Sequence, residues 1–231
     1  MLVAWHSPEG KARLKAANDS EAFFRLAHFF QAQTNPLYCG VASAVMILNA
    51  LRQPHDKAAA QPTIEVKIPE ATQSIPFATF VQSTFLGAPT EKVKPRAVVE
   101  YREKNSEGTY RPGLGLMELK GLFEAYGAKA GGEFASATTL EKFRGQLKTN
   151  LGPSETFMLV HFRSDLIGGL PRGHISPLGA YDETSDSVLI LDVAAHKGPW
   201  YWAPVPHLFQ AMQATYDTQP KGGGLLVVSD N

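Results

Sequence analysis

Gln33, Cys39, His174 and Asp192 are the residues of this 231-residue chain whose types and order could support nucleophilic catalysis by a thiol. Cys39, the only cysteine, opens the apolar run CGVASAVMILNAL, which predicts a buried helix starting at the thiol and ending near Arg52-Gln53-Pro54. A helix N-terminus stabilises a thiolate through its unpaired N–H groups and its macrodipole, and a nearby imidazolium does so more strongly. Gly40, next to the thiol, would let a substrate approach the backbone. His174 opens a predicted strand, where Arg172-Gly173 would expose it at the strand end, and Asp192 falls on the next strand across a hairpin. An acid bonded to the imidazole would fix its tautomer and stabilise its charged form. Gln33, six positions before Cys39, carries an amide able to donate to an oxyanion alongside the Cys39 backbone N–H.

Each residue also has a plainer reading. A lone cysteine at the edge of an apolar helix serves as small buried filler. Gln33 could sit in an exposed loop, Asp192 could cap a turn, and His174 could be a strand-end histidine with its bonds satisfied. His161, alternating with apolar neighbours in a strand, is the rival base; His6, His28, His55, His196 and His207 have no evident partner. The four residues together carry more weight. Papain-type enzymes place the cysteine first and the histidine and its orienting residue about 130–150 residues downstream. Here His174 follows Cys39 by 135 residues and Asp192 comes after it.

Composition narrows the class. Basic and acidic side chains number 22 each, so the formal net charge is zero and nothing favours nucleic acid or an anionic membrane as partner. The longest apolar run falls short of the roughly 20 residues of a spanning helix, so no membrane span is expected. The start lacks the pattern of a signal peptide; the cytoplasm is expected, or the periplasm if a signal has been removed. One cysteine excludes an internal disulfide and a multi-cysteine zinc site, and no His-Glu-x-x-His pattern occurs. No metal site is expected.

The elements that must position these residues follow from periodicity. Ser20 to Phe30 predicts a short capped helix, Leu116 to Tyr126 a second ending at Gly127, and a capping box at Thr138 to Glu141 opens a third. TFMLVHFR, HISPLGAYD, SVLILDVA and GGLLVVSD predict strands, with a helix at VPHLFQAMQ between the last two. Residues 54–112 contain seven prolines and read as a packed, loop-rich segment that buries Phe77, Phe80, Val81, Phe85 and Leu86. The expected fold class is α+β in one domain over 1–231: a helical lobe at about 20–150 with Cys39 at a helix N-terminus, and an antiparallel sheet lobe at about 151–231.

QTNPLYCGVASAVMILNAL, GHISPLGAYDETSDSVLILDVA, GLGLMELKGLFEAYGAK and KGGGLLVVS together resemble the catalytic domain of the phytochelatin synthase family, closest to its short bacterial and cyanobacterial forms. The resemblance implies a papain-like fold and a glutathione γ-glutamylcysteinyltransferase. In it Cys39 is the nucleophile, His174 the general base and acid, Asp192 the orienting residue and Gln33 the oxyanion donor. Glutathione would be cleaved at its Cys–Gly bond through a thioester on Cys39. Water would then release γ-glutamylcysteine, or a second glutathione would extend the peptide. Arg163 matches a position where the family commonly carries a basic residue, and Arg172, with Gly40 and Gly173, is a substrate-binding candidate by proximity. No cofactor is required for the acyl step. A heavy-metal ion, cadmium or zinc carried as the glutathione thiolate, is a candidate activator, and a homodimer stays open. Asp192-Val193-Ala194-Ala195 departs from the family's Asp-Val-x-Arg, and HKGPWYW from its more proline-rich stretch, which favours hydrolysis of glutathione or its S-conjugates over chain elongation. A leader peptidase of the bacteriocin-processing type and a non-catalytic thiol-peptide or metal-binding domain are the alternatives.

Overall fold

The computed structural model describes residues 1–52, 62–67, 74–153, 155–168, 172–215 and 219–230. In chain order the elements are β1 (Val3–Ala4), α1 (Pro8–Ala16), α2 (Glu21–His28), α3 (Cys39–Arg52), β2 (Thr63–Lys67), β3 (Ser74–Ala78), α4 (Gln82–Phe85), α5 (Arg96–Val99), α6 (Leu116–Ala125), β4 (Lys129–Phe134), α7 (Leu140–Leu151), β5 (Thr156–Arg163), β6 (Gly173–Asp182), β7 (Ser187–Ile190), β8 (Tyr201–Pro204), α8 (Val205–Gln213) and β9 (Gly224–Ser229). Seven strands form one sheet in the order β1-β8-β7-β6-β5-β9-β4, and β2 pairs with β3 apart from it. Every pairing is antiparallel. Helices with an antiparallel sheet make this an α+β fold.

The middle of the sheet is buried on both faces. Phe157–Phe162 of β5 and His174–Asp182 of β6 are buried without alternation, the pattern of strands covered on either side. Helices α2 and α3 pack on β6, and α7 and α8 on β5. Helix α3 is enclosed as well: every residue from Gly40 to Arg52 is buried, as an all-round apolar helix requires. Its far end is held by Arg52, which pairs with Asp230 at 3.2 Å and donates to the Tyr126 carbonyl at 2.6 Å. The same last turn is held by Asn49, whose amide donates to Phe80 O at 3.0 Å while Oδ1 accepts from Phe80 N at 2.9 Å.

The expected elements are largely present, with differences that have local causes. The sheet draws β4 from within the stretch expected to be a helical lobe, and β1 from before it. β4 reads KAGGEF and lacks β-branched residues, yet Gly132 suits its position: a Cβ there would stand 2.8 Å from the Leu226 side chain. Helix α7 is capped by Thr139, whose hydroxyl accepts from Lys142 N, not by Thr138. Ser20 occupies the α2 cap position without a side-chain cap bond. Phe80, Phe85 and Leu86 are buried as expected, but Phe77 is 55% exposed on the separate hairpin. Gln53, Pro54 and His55 lie outside the described residues.

Replacing Asn49 by Ala would strand the Phe80 N–H in the interior and leave its carbonyl only the longer bonds from Thr79 Oγ1 at 3.4 Å and Gln31 Nε2 at 3.5 Å. The expected cost is about 2–4 kcal/mol of stability, read from the urea unfolding midpoint; an unchanged midpoint would show that α3 is anchored elsewhere.

Candidate active site

Cys39 is positioned from both sides of the seam between α3 and β6. Asn35 makes the turn before the helix: its Oδ1 accepts from Leu37 N at 2.9 Å and its carbonyl from Tyr38 N at 2.9 Å. In the first helical turn, the Ser43 hydroxyl lies 2.8 Å from Cys39 O and 3.3 Å from Ile175 O, so one side chain joins the helix start to the strand. Gly40 is buried, and a Cβ on it would meet Leu114 Cδ1 at 3.1 Å and Ile175 Cδ1 at 3.3 Å. The space expected for a substrate beside Gly40 is taken by these two side chains; the absent Cβ lets α3 approach β6.

His174, expected to be exposed, is only 4% exposed. Its Nε2 lies 2.7 Å from Asp192 Oδ1. Asp192 does not lie on β7 but two residues past its end. Leu191 N still donates to Pro177 O at 3.0 Å, so continuing the register sets Asp192 across from Ser176 and within reach of His174. Asp192 Oδ1 also accepts from Ala194 N at 2.8 Å, and Oδ2 accepts from the Tyr201 hydroxyl at 3.3 Å. Ser176 Oγ stands 3.2 Å from His174 Nε2. With Nε2 committed to the carboxylate, Nδ1 is the ring nitrogen that serves Cys39.

The electrostatics follow from these bonds. Burial pushes the Cys39 thiol up, but hydrogen bonding and charge from His174, joined by the backbone N–H groups of Ile175 and Gly40, outweigh it and lower its pKa below the ordinary value. Burial opposes a charged His174, yet the bonds to Asp192 and Cys39 and their charges prevail and raise it to about 9. Burial likewise raises Asp192, but the bond and charge of His174 and then Ala194 N and Tyr201 bring it below the usual carboxylate range. Burial and then Asp192 hold Tyr201 well above the ordinary phenol value, so it remains a donor. Burial, then the charge on His174, push His161 down to about 4. The rival base is a neutral imidazole.

Gln33 is tied to the same region by its backbone: its N–H donates to Val193 O at 2.8 Å, one residue beyond Asp192. Its side-chain Nε2 donates to Asn35 O at 2.9 Å, which leaves one amide hydrogen. Arg163 is directed elsewhere, with Nε 2.8 Å and Nη2 2.5 Å from the two oxygens of Asp165. Arg172 and Gly173 line a cavity of about 690 Å³ that opens on Cys39, together with Lys94, Glu118 and His161. On the other side, His174, Asp192, Tyr201 and Lys197 border a cavity of about 320 Å³. Among the described residues, no group of three or more His, Cys, Asp or Glu is placed to hold a metal ion, and no helix is long and apolar enough to cross a membrane.

Ser176 and Tyr201 were not anticipated. Ser176 follows His174 by two residues on one strand, so period-two alternation places both side chains on one face. Tyr201 reaches Asp192 only through the β7–β8 register, Ile190 opposite Tyr201, which no local pattern announces.

The chemistry open to this arrangement is attack by a thiolate with an imidazolium beside it. The sign of its pH dependence follows. The thiolate forms as pH rises through the lowered Cys39 value, and the imidazolium is lost as pH rises through about 9. Iodoacetamide should therefore alkylate Cys39 rapidly at pH 6, where an ordinary thiol is protonated. His174→Ala should slow that labelling about 10-fold or more at pH 6. Equal rates in the two proteins would show that His174 does not activate the thiol.

The family model described as phytochelatin synthase matches residues 1–224. The chain is 29% identical over 210 residues to glutathione gamma-glutamylcysteinyltransferase 1 of Lotus japonicus, covering 90% of this chain and 36% of that protein. It is 29% identical over 230 residues to the Arabidopsis thaliana protein of the same name, covering 98% and 41%. With the glutathione gamma-glutamylcysteinyltransferase of Schizosaccharomyces pombe it shares 22% identity over 192 residues, 83% of this chain and 39% of that one. The chain thus spans about two-fifths of the length of these relatives. With nearly its whole length matched by the family model, the chain belongs to the phytochelatin synthase family.

Proposed function

We propose that this chain is a papain-like thiol acyltransferase that cleaves the Cys–Gly bond of glutathione through a γ-glutamylcysteinyl thioester on Cys39. The observation that carries the reading is the buried His174 ring, bonded to Asp192 at 2.7 Å and hydrogen-bonded to Cys39. The names of the relatives supply the substrate.

In the proposed reaction the Cys39 thiolate attacks the Cys–Gly carbonyl. The oxyanion receives the Cys39 backbone N–H and the remaining amide hydrogen of Gln33. Imidazolium at His174 then protonates the glycine nitrogen, glycine leaves, and the thioester remains. Neutral His174 next takes a proton from the acceptor as it attacks. Water yields γ-glutamylcysteine; the amine of a second glutathione yields a longer peptide. Asp192 keeps the proton on Nε2 through both steps, held in turn by Ala194 N and Tyr201. Arg172 and Gly173 at the cavity are the better placed of the candidate substrate contacts. Arg163 would have to give up Asp165, and Gly40 acts through its N–H on the thiolate. Cadmium or zinc enters this scheme as part of the substrate, as a glutathione thiolate. A single reactive thiol suits a reducing compartment such as the cytoplasm.

Incubation with glutathione, with and without cadmium, followed by mass spectrometry should show the acyl-enzyme and free glycine, with γ-glutamylcysteine exceeding extended peptide. Cys39→Ala and His174→Ala should reduce glycine release to background. Wild-type release from both variants would refute the mechanism, and cleavage of a Gly-Gly leader peptide with glutathione untouched would identify a peptidase.

A further inference from the structure

The cavity on Cys39 has one wall of unusual composition. Lys94 is buried, with its side chain 7% exposed, and its Nζ sits 2.8 Å from Glu118 Oε2. The same oxygen accepts from Gly115 N at 2.7 Å, so the helix start at α6 is already satisfied by Glu118. Among the described residues, Glu118 is held through Oε2 alone. Its side chain remains 39% exposed and lines the cavity with Lys94. The other carboxylate in the lining, Glu107, is exposed on a loop. This wall adjoins the thiol: Leu114, one residue before Gly115, fills the space over Gly40.

The direction of the substrate follows from the catalytic pair. The leaving amine must take its proton from His174, so the acyl portion extends from Cys39 away from His174. The 690 Å³ cavity includes Cys39 and not His174 in its lining. A γ-glutamylcysteinyl group placed there ends in an α-ammonium and an α-carboxylate. A zwitterion taken out of water needs a carboxylate and a cation side by side. Lys94 and Glu118 are such a pair, already ordered and already desolvated on the lysine side.

We propose that Glu118 binds the α-ammonium of the γ-glutamyl group through its second oxygen, and that Lys94 beside it faces the α-carboxylate. Glu118 is thus a specificity-determining residue for an acyl group ending in a free α-amino acid. This subsite rests on the glutathione reading above. Substrates with the same backbone but no α-amino group should be handled poorly.

The test uses the full chain carrying Cys39→Ala, so that ligand binds without turnover, with and without Glu118→Gln. Glutamine at this position can still accept from Gly115 N, and the thermal midpoint checks that the variant folds. Calorimetry compares glutathione with glutaryl-Cys-Gly, which lacks only the α-amino group. Glutathione should bind about 10-fold tighter or more than the analogue. Glu118→Gln should weaken glutathione by a similar factor, leave the analogue nearly unchanged and so erase the preference. A preference that survives Glu118→Gln, or no preference in the parent protein, overturns the subsite. If Glu118→Gln lowers the thermal midpoint strongly, the parent's preference between the two ligands, with 4-aminobutyryl-Cys-Gly as the analogue lacking the α-carboxylate, decides the matter alone. Glycine release by the wild-type chain is assayed in parallel. Release without a binding preference sinks the subsite only, whereas a binding preference without release sinks the reaction only.

Discussion

The bond from His174 to Asp192, with Cys39 on the other ring nitrogen, constrains the rest of the structure. Three ionisable groups are brought together where burial opposes the charged form of each. Charges taken out of water cost several kcal/mol apiece unless paired and hydrogen-bonded, so their spacing has little tolerance. The partners are supplied locally: Ala194 N and Tyr201 for the carboxylate, and the N–H groups of Gly40 and Ile175 for the thiolate. Because the thiol rides on a helix and the imidazole on a strand, the interface between α3 and β6 must be held to a fraction of an ångström. A wholly buried α3, the glycine at position 40 and the Ser43 bridge serve that requirement together.

How much of this is legible in sequence depends on the range of the interaction that decides it. α3 is an apolar run with a turn before it, and its outline follows from local periodicity. β5, β6 and β9 fall on predominantly apolar runs, with β-branched or aromatic residues most frequent in β5 and β9, and they too are recognisable alone. β4 and β8 are not. KAGGEF and YWAP become strands because β9 and β7 offer edges to pair with, and no window of sequence contains that information. The hairpin at Thr63–Lys67 and Ser74–Ala78 is short, proline-bearing and separate from the main sheet, so Phe77 faces solvent where its type alone argues for burial.

The site divides in the same way. Cys39, His174 and Asp192, the triad of the proposed reaction, are recognisable from residue type, order and separation, because a thiol nucleophile requires a base and the base an orienting acid. The location of Asp192 beyond β7, the burial of His174 and the bond from Tyr201 depend on strand register. Arg163 illustrates the opposite error. A basic residue on the right strand suits a carboxylate substrate by type, but Asp165 two residues later engages the Nε–Nη2 edge of its guanidinium. Lys94 and Glu118 were invisible as a pair, since 24 residues separate them and each reads alone as a surface charge.

In the proposed reaction, chemistry and recognition fall to different parts of the chain. The charges of Cys39, His174 and Asp192 compensate one another within α3, β6 and the segment from Asp192 to Tyr201, whereas much of the cavity wall comes from residues 94–118. In that reaction the acceptor must reach the thioester on Cys39 and give its proton to Nδ1 of His174, because Nε2 is held by Asp192. The cavity of about 320 Å³ lies on the Asp192 and Tyr201 side of the ring and does not include Cys39 in its lining. A second glutathione would therefore have to enter the cavity of about 690 Å³ that opens on Cys39, beside the acyl group already seated there. It would bring two more carboxylates and must hold its amine neutral to attack. Water needs no pocket and no counter-charge. One cavity serving both acyl group and acceptor therefore favours hydrolysis in the proposed reaction.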